Sequence, residues 1–230
     1  MAQGDLYASP LGAVYSTYME RPWPSRRLGR LFWGGDSTRY YASMETIRKA
    51  PPGATILDCP CGAGVAFRAI PPGRPGRYLA ADLSPSMLRR ARKRAERRGL
   101  NGIEFAQADA VELPLEPGEV DLYVSYWGLH CYPDPAAALR EAARVLKPGA
   151  RFVGSTFVRE GDGWRERRVL RSGNGGLGML GDERQMRGWI EKAGLEIASG
   201  SRSGPMFFFE ARRTDAPGVQ RGSGDLANPS

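Results

Sequence analysis

The chain has 230 residues, 41% of them hydrophobic, enough to bury one sizeable core and too little for a second full domain. No apolar run is long enough to cross a bilayer, and three cysteines, Cys59, Cys61 and Cys131, are too few for a disulfide framework. The N-terminus lacks the basic-then-apolar order of a secretion signal, so a cytoplasmic, reducing setting is expected, while the net charge of +8 raises the question of an anionic partner.

In chain order, residues 1–50 read as two or three short aromatic helices, "LGAVYSTYME", "RRLGRLFWGG" and "DSTRYYASMETIRKA", with a proline break at "RPWPS". From Pro51 strands and helices alternate. "ATILDC" is a short buried strand before a glycine turn, and "GAGVAFRAI" continues as a helix closed by "PPGRPG". "RYLAAD" is a second strand, followed by an arginine-rich helix that Ser84 caps. Met87, Leu88, Ala91 and Ala95 fall there at helical spacing, and Arg or Lys fills most other positions. That face suits a solvated surface or an electrostatic footprint for RNA or an acidic partner. It lacks interleaved aromatics for base stacking, so nucleic acid is not the expected partner.

"IEFAQAD" is a third strand and "VDLYVSYW" a fourth. "DPAAALREAARVLKPG" is a helix with a Pro-Gly stop, and "ARFVGSTF" is a fifth strand. After the glycine-rich "EGDGWRERRVLRSGNGGLGMLG" comes a helix over "GDERQMRGWIEKAGL" with Asp182 as its cap, then a closing pair of strands, "EIASGSRSG" and "PMFFFEARR". The tail, 214–230, has no apolar periodicity and is expected to be disordered. The pattern predicts an α/β fold with a mostly parallel sheet covered on both faces. Its boundaries are a helical N-terminal lid over 1–50 and a Rossmann-like, doubly wound domain over 51–213.

Three of these strands run into acids. Asp58 follows the first, Asp82 the second and Asp109 the third, and in an open parallel sheet ligands lie beyond the carboxyl ends of the strands. Gly62 and Gly64 permit a tight turn and close backbone approach, and the helix start beyond them favours a compact anion such as a carboxylate. The expected ligand has hydroxyls or an amine for the acids and one anionic group for the amides.

The order of motifs resembles the class I S-adenosylmethionine-dependent methyltransferases, in the small-molecule branch related to quinone-biosynthesis enzymes. "ILDCPCGAG" is similar to the family's D-x-x-x-G-x-G motif, with Pro60 where glycine is usual; "AADLSPSML", "AQADAVELP" and "DLYVSYWGLHCYPDPAAALREAARVLKPGARF" resemble the motifs that follow. The resemblance implies a seven-stranded sheet with the last strand antiparallel and S-adenosyl-L-methionine as cofactor. It implies that Asp82 grips the ribose hydroxyls, that Asp109 meets the adenine amine, and that Asp58, Pro60, Gly62, Gly64, Leu83, Met87, Ala110 and Ser125 complete the cofactor site. Asp58 either contacts the methionine amine or orders the loop, and Met87 either packs on adenine or fills the core.

Acceptor chemistry falls to the cover of the rim. Tyr126 and Trp127 end the fourth strand near the expected donor methyl, and His130, the only histidine, either serves as a general base or lines the pocket. Tyr15, Tyr18, Trp33, Tyr40 and Tyr41 furnish an aromatic lid, of which Tyr15, Tyr18, Trp33 and Tyr41 are assigned to the substrate. A zinc site from Cys59, Cys61, His130 and Cys131 is weighed and set aside, because their spacing does not match a zinc knuckle. The resulting expectation is methyl transfer to a phenol, quinone-like or secondary-metabolite acceptor by a monomer or homodimer that needs no metal or membrane. The alternatives are an RNA or protein methyltransferase, or a cyclase or scaffold that keeps the cofactor pocket without transferring methyl.

Overall fold

The computed structural model describes residues 37–159 and 181–214. Seven strands form one sheet in the order β3-β2-β1-β4-β5-β7-β6. They are β1 (Ile56–Asp58), β2 (Tyr78–Asp82), β3 (Ile103–Gln107), β4 (Val120–Tyr126), β5 (Leu146–Phe157), β6 (Leu195–Ser203) and β7 (Met206–Arg213). β7 pairs antiparallel with both β5 and β6, and the other pairings are parallel, as the motif order implies. Strand order reverses between β1 and β4, the two strands whose ends carry the glycine turn and the Trp127 loop.

Period-two alternation divides the strands between two cores. Leu57, Leu79, Tyr123, Phe152 and Phe209 face helices α4 (Pro135–Val145) and α5 (Glu183–Lys192), which contribute Leu139, Met186 and Ile190. Ile56, Ala80, Leu122, Val124, Val153 and Phe208 form the opposite face. Helices α1 (Ser37–Ser43), α2 (Glu45–Arg48) and α3 (Pro85–Arg97) cover that face with Tyr40, Ile47 and Leu88, and Met44 joins them from between α1 and α2.

Two expected caps are present. Ser84 Oγ accepts the Met87 amide at 3.4 Å at the start of α3, and Asp182 forms a capping box with Gln185 that opens α5.

Three local expectations need correction. The segment after the glycine turn is not an α-helix but a five-residue 3-10 helix, Val65–Ala69. The prolines at 71 and 72 leave no room for a longer one, so this turn lacks an α-helical dipole to attract an anion. The Pro-Gly stop does not end α4. That helix ends at Val145, and β5 already begins at Leu146, its pairing with β4 shifting register between Val120 and Leu122 while Gly149 takes φ +73°. One face of the described part of the expected lid belongs to the core: Tyr40, Met44 and Ile47 are buried, and the Tyr126 hydroxyl donates to the Ser43 carbonyl at 3.0 Å.

Candidate active site

The sheet register staggers the acids. Asp58 pairs with Ala80 of β2, whereas Asp82 pairs with Gln107 of β3, so Asp82 stands two residues closer to the rim. Asp58 is accordingly only 1% exposed, and the Tyr78 hydroxyl donates to its Oδ2 at 2.9 Å. Burial pushes its pKa up to about 8; the Tyr78 bond opposes that rise and the nearby Asp82 adds to it. A neutral buried carboxyl of this kind regains its charge when a cation comes to rest beside it.

Asp82 is held from two sides. Gly62 N–H donates to one carboxylate oxygen and Ser84 N–H to the other, both at 2.8 Å. Burial raises its pKa and these amide bonds oppose the rise. The Gly62 amide expected to greet a ligand anion is therefore already given to Asp82. Gly62 and Gly64 both have positive φ, +52° and +76°, which favours glycine at each. Gly64 is also confined: a Cβ there would lie 2.5 Å from the Phe67 ring.

Beyond the rim stand the only large exposed hydrophobics among the described residues, Leu83 at 62% and Val111 at 40%. They follow Asp82 directly and Asp109 by two residues, and so stand as exposed apolar side chains next to the rim acids. Val111 was missed in the sequence, although its place after the third acid is a usable signal. Asp109 is exposed and its Oδ1 accepts the Val111 amide at 3.1 Å. Ala110 is buried, and Met87 is buried without joining either apolar core. Ser125 is 1% exposed, and its Oγ has no hydrogen-bond partner.

At the other end of the rim the surfaces are aromatic. Trp127 follows β4 with φ +59°, an unusual conformation for a bulky side chain, and its backbone N–H donates to the Ser155 carbonyl at 2.8 Å. Its ring lies 5.0 Å from Tyr40 and 5.6 Å from Phe157, centroid to centroid. Tyr126 meets Tyr40 edge-on at 5.8 Å. Tyr40 packs behind this wall, and the neighbouring Tyr41 ring is covered by the Arg68 guanidinium at 4.5 Å. The i, i+4, i+7 spacing of Tyr40, Met44 and Ile47 marks the inward face in the sequence itself. Tyr15, Tyr18 and Trp33 lie outside the described residues.

His130 is 4% exposed, and its Nδ1 accepts the Phe157 amide at 3.3 Å with Thr156 Oγ1 also at 3.3 Å. Burial pulls its pKa down to about 3. With Nδ1 accepting a backbone N–H, the neutral ring carries its proton on Nε2. The general-base assignment is therefore not supported: this imidazole has no lone pair to spare for a substrate proton. Cys59, Cys61 and Cys131 form no disulfide, and burial pushes the Cys59 thiol up to about 12.

Residues 57–154 match a family model described as a methyltransferase domain. The chain is 43% identical over 105 residues to the ubiquinone/menaquinone biosynthesis C-methyltransferase UbiE of Brucella canis, covering 44% of this chain and 39% of that protein. It is 32% identical over 162 residues to an uncharacterized chloroplastic methyltransferase of Arabidopsis thaliana, covering 67% of this chain and 44% of the relative. The chain thus spans less than half the length of these relatives. In fold it resembles the geranyl diphosphate C-methyltransferase of Streptomyces coelicolor A3(2), solved with Mg2+, geranyl diphosphate and S-adenosyl-L-homocysteine. That likeness has a TM-score of 0.64 at 16% identity, over 77% of this chain and 80% of the other.

Proposed function

Because the chain carries a class I S-adenosylmethionine-dependent methyltransferase domain, we propose that it transfers the methyl group of S-adenosyl-L-methionine to a small-molecule acceptor, a phenol, a quinone-like ring or another secondary metabolite. The observation that carries the reading is the braced Asp82 carboxylate at the rim beside the 62% exposed Leu83.

The residues present fit that donor. Each Asp82 oxygen accepts one amide and keeps a lone pair for a ribose hydroxyl. Leu83, Ala110 and Val111 provide apolar contact for the base, and Asp109 accepts from its amine. The buried Asp58 carboxyl, raised in pKa by burial, gains from a cationic amine above it. When bound, the donor supplies a methyl group already activated on a positively charged sulfur.

The chain's own part is to bind, orient and keep out water. Trp127, backed by the buried rings of Tyr40 and Phe157, presents an aromatic surface that favours a cation and shields the transfer. His130 and Tyr126 serve as fixed wall residues, since Nδ1 of the first and the hydroxyl hydrogen of the second are already committed. Alignment then supplies much of the acceleration, with no base drawn from these two groups.

Titration calorimetry with S-adenosyl-L-homocysteine tests the reading. Wild type gives measurable heat, and Asp82→Ala weakens binding by about a hundredfold through loss of charge-assisted hydrogen bonds. Absence of heat from folded wild type refutes it.

A further inference from the structure

The glycine turn and the loop after β4 touch at one point that neither motif explains. Gly128 has φ −101°, a conformation open to any residue, so its backbone does not demand glycine. Space does. A Cβ there would lie 2.2 Å from Pro60 Cδ, 2.8 Å from Pro60 Cγ and 2.7 Å from Ser125 Oγ. The serine hydroxyl makes no hydrogen bond and can rotate away. The proline ring cannot: on one side Cys59 N–H donates to the Val124 carbonyl at 3.0 Å, and on the other Cys61 N–H donates to the Ala81 carbonyl at 2.8 Å.

Both partners of this contact are anchored to the site. One residue past Cys61, Gly62 N–H holds the Asp82 carboxylate. Next to Gly128, the Trp127 backbone N–H is tied to the Ser155 carbonyl, while the Gly128 carbonyl accepts the Cys131 amide at 2.8 Å. Whatever moves the Pro60 ring moves the amide that orients Asp82.

We propose that Gly128 is a positioning residue, through which the acceptor-side loop sets the place of the cofactor turn by packing a bare Cα against the Pro60 ring. The inference rests on the cofactor reading above. It also accounts for the tolerance of proline at position 60, where the family resemblance leads one to expect glycine: the bulk added at 60 is accommodated by the side chain missing at 128.

The test is a double-mutant cycle on the full chain, with S-adenosyl-L-homocysteine affinity and thermal unfolding read on wild type, Pro60→Gly, Gly128→Ala and the double variant. Pro60→Gly removes the ring, and its own affinity and melting temperature are the reference against which the double variant is read. Gly128→Ala weakens binding by about tenfold, within the range of coupling between touching residues. The double variant returns to within about threefold of Pro60→Gly, because the ring that obstructed the new methyl is gone. Such rescue is not expected if alanine merely destabilises the loop.

The proposal is overturned if Gly128→Ala binds like wild type, or if the double variant binds no better than Gly128→Ala. Should Gly128→Ala fail to fold, recovery of the Pro60→Gly melting temperature by the double variant supports the contact, and failure to recover it overturns the proposal. If wild type itself gives no heat, the cofactor reading falls, while rescue of the melting temperature still decides the contact.

Discussion

The two ends of the rim are built on opposite principles. Around β1 and β2 the ligand-facing groups are charged or chargeable: Asp58 sits buried on Tyr78, and Asp82 is held by the Gly62 and Ser84 amides with acceptor capacity left over. Around the ends of β4 and β5 the two groups that could serve as bases are spent on the protein itself, His130 on the Phe157 amide and Tyr126 on the Ser43 carbonyl, behind the rings of Trp127, Tyr40 and Phe157, while small hydroxyls such as Ser125 Oγ are left without a partner. The contrast teaches where binding and chemistry divide. Under the proposed function, one end takes the polar nucleoside and the amine of the donor, and the other provides shape and dryness to a transfer from an already activated sulfur.

The largest expected effect that sharpens this contrast is in the pH dependence of stability. Asp58 has a folded pKa raised to about 8 by burial, so the folded state holds its proton more tightly. The stability it contributes is complete below the ordinary aspartate value of 3.8 and is lost as pH rises through about 8. His130 runs the other way: burial lowers it from 6.5 to about 3, so its contribution is complete above 6.5 and is lost as pH falls toward 3. In urea unfolding across that span, Asp58→Asn flattens the alkaline decline and His130→Asn flattens the acid one. If Asp58→Asn leaves the alkaline limb unchanged, Asp58 is not the buried neutral group described above.

A smaller effect separates the two glycines of the cofactor end. Gly64→Ala meets both a positive φ and the Phe67 ring at 2.5 Å and loses about 3 kcal/mol of unfolding free energy. Gly62→Ala, whose Cβ has nothing within 4 Å, loses about 1 kcal/mol from φ alone. Equal losses in chemical denaturation would mean that the Phe67 ring yields. The smallest effect is at the edge. Leu83→Ala leaves stability unchanged within about 0.5 kcal/mol and weakens S-adenosyl-L-homocysteine binding about fivefold, because an exposed side chain contributes only when a ligand covers it.

Much of the fold was legible in the sequence. Apolar runs ending in acid gave β1 and β2 to within a residue or two, and Ser84 and Asp182 marked the starts of α3 and α5. The arginine helix was readable because its apolar stripe repeats with the helical period. The 3-10 helix Val65–Ala69 is not distinguishable from an α-helix in the sequence, since a glycine turn followed by apolar residues reads alike in either form, and only the nearby prolines mark the shorter one. The Tyr40, Met44 and Ile47 spacing carries the inward phase of the helical segment before β1, which the aromatic composition alone does not reveal.

What the sequence determined by itself was local and periodic: which segments are strands, which helices are amphipathic, which turns require glycine, and that acids recur at strand ends. Tertiary structure decided what those residues do there. The parallel register sank Asp58 and left Asp82 at the rim, the return of β5 beside β4 brought the Phe157 amide to His130 across 27 residues, and the meeting of two loops set Pro60 on Gly128. Local propensity acts over a few bonds, whereas burial and hydrogen-bond partnership depend on which distant segments the sheet makes neighbours, and those two quantities set a side chain's charge and availability.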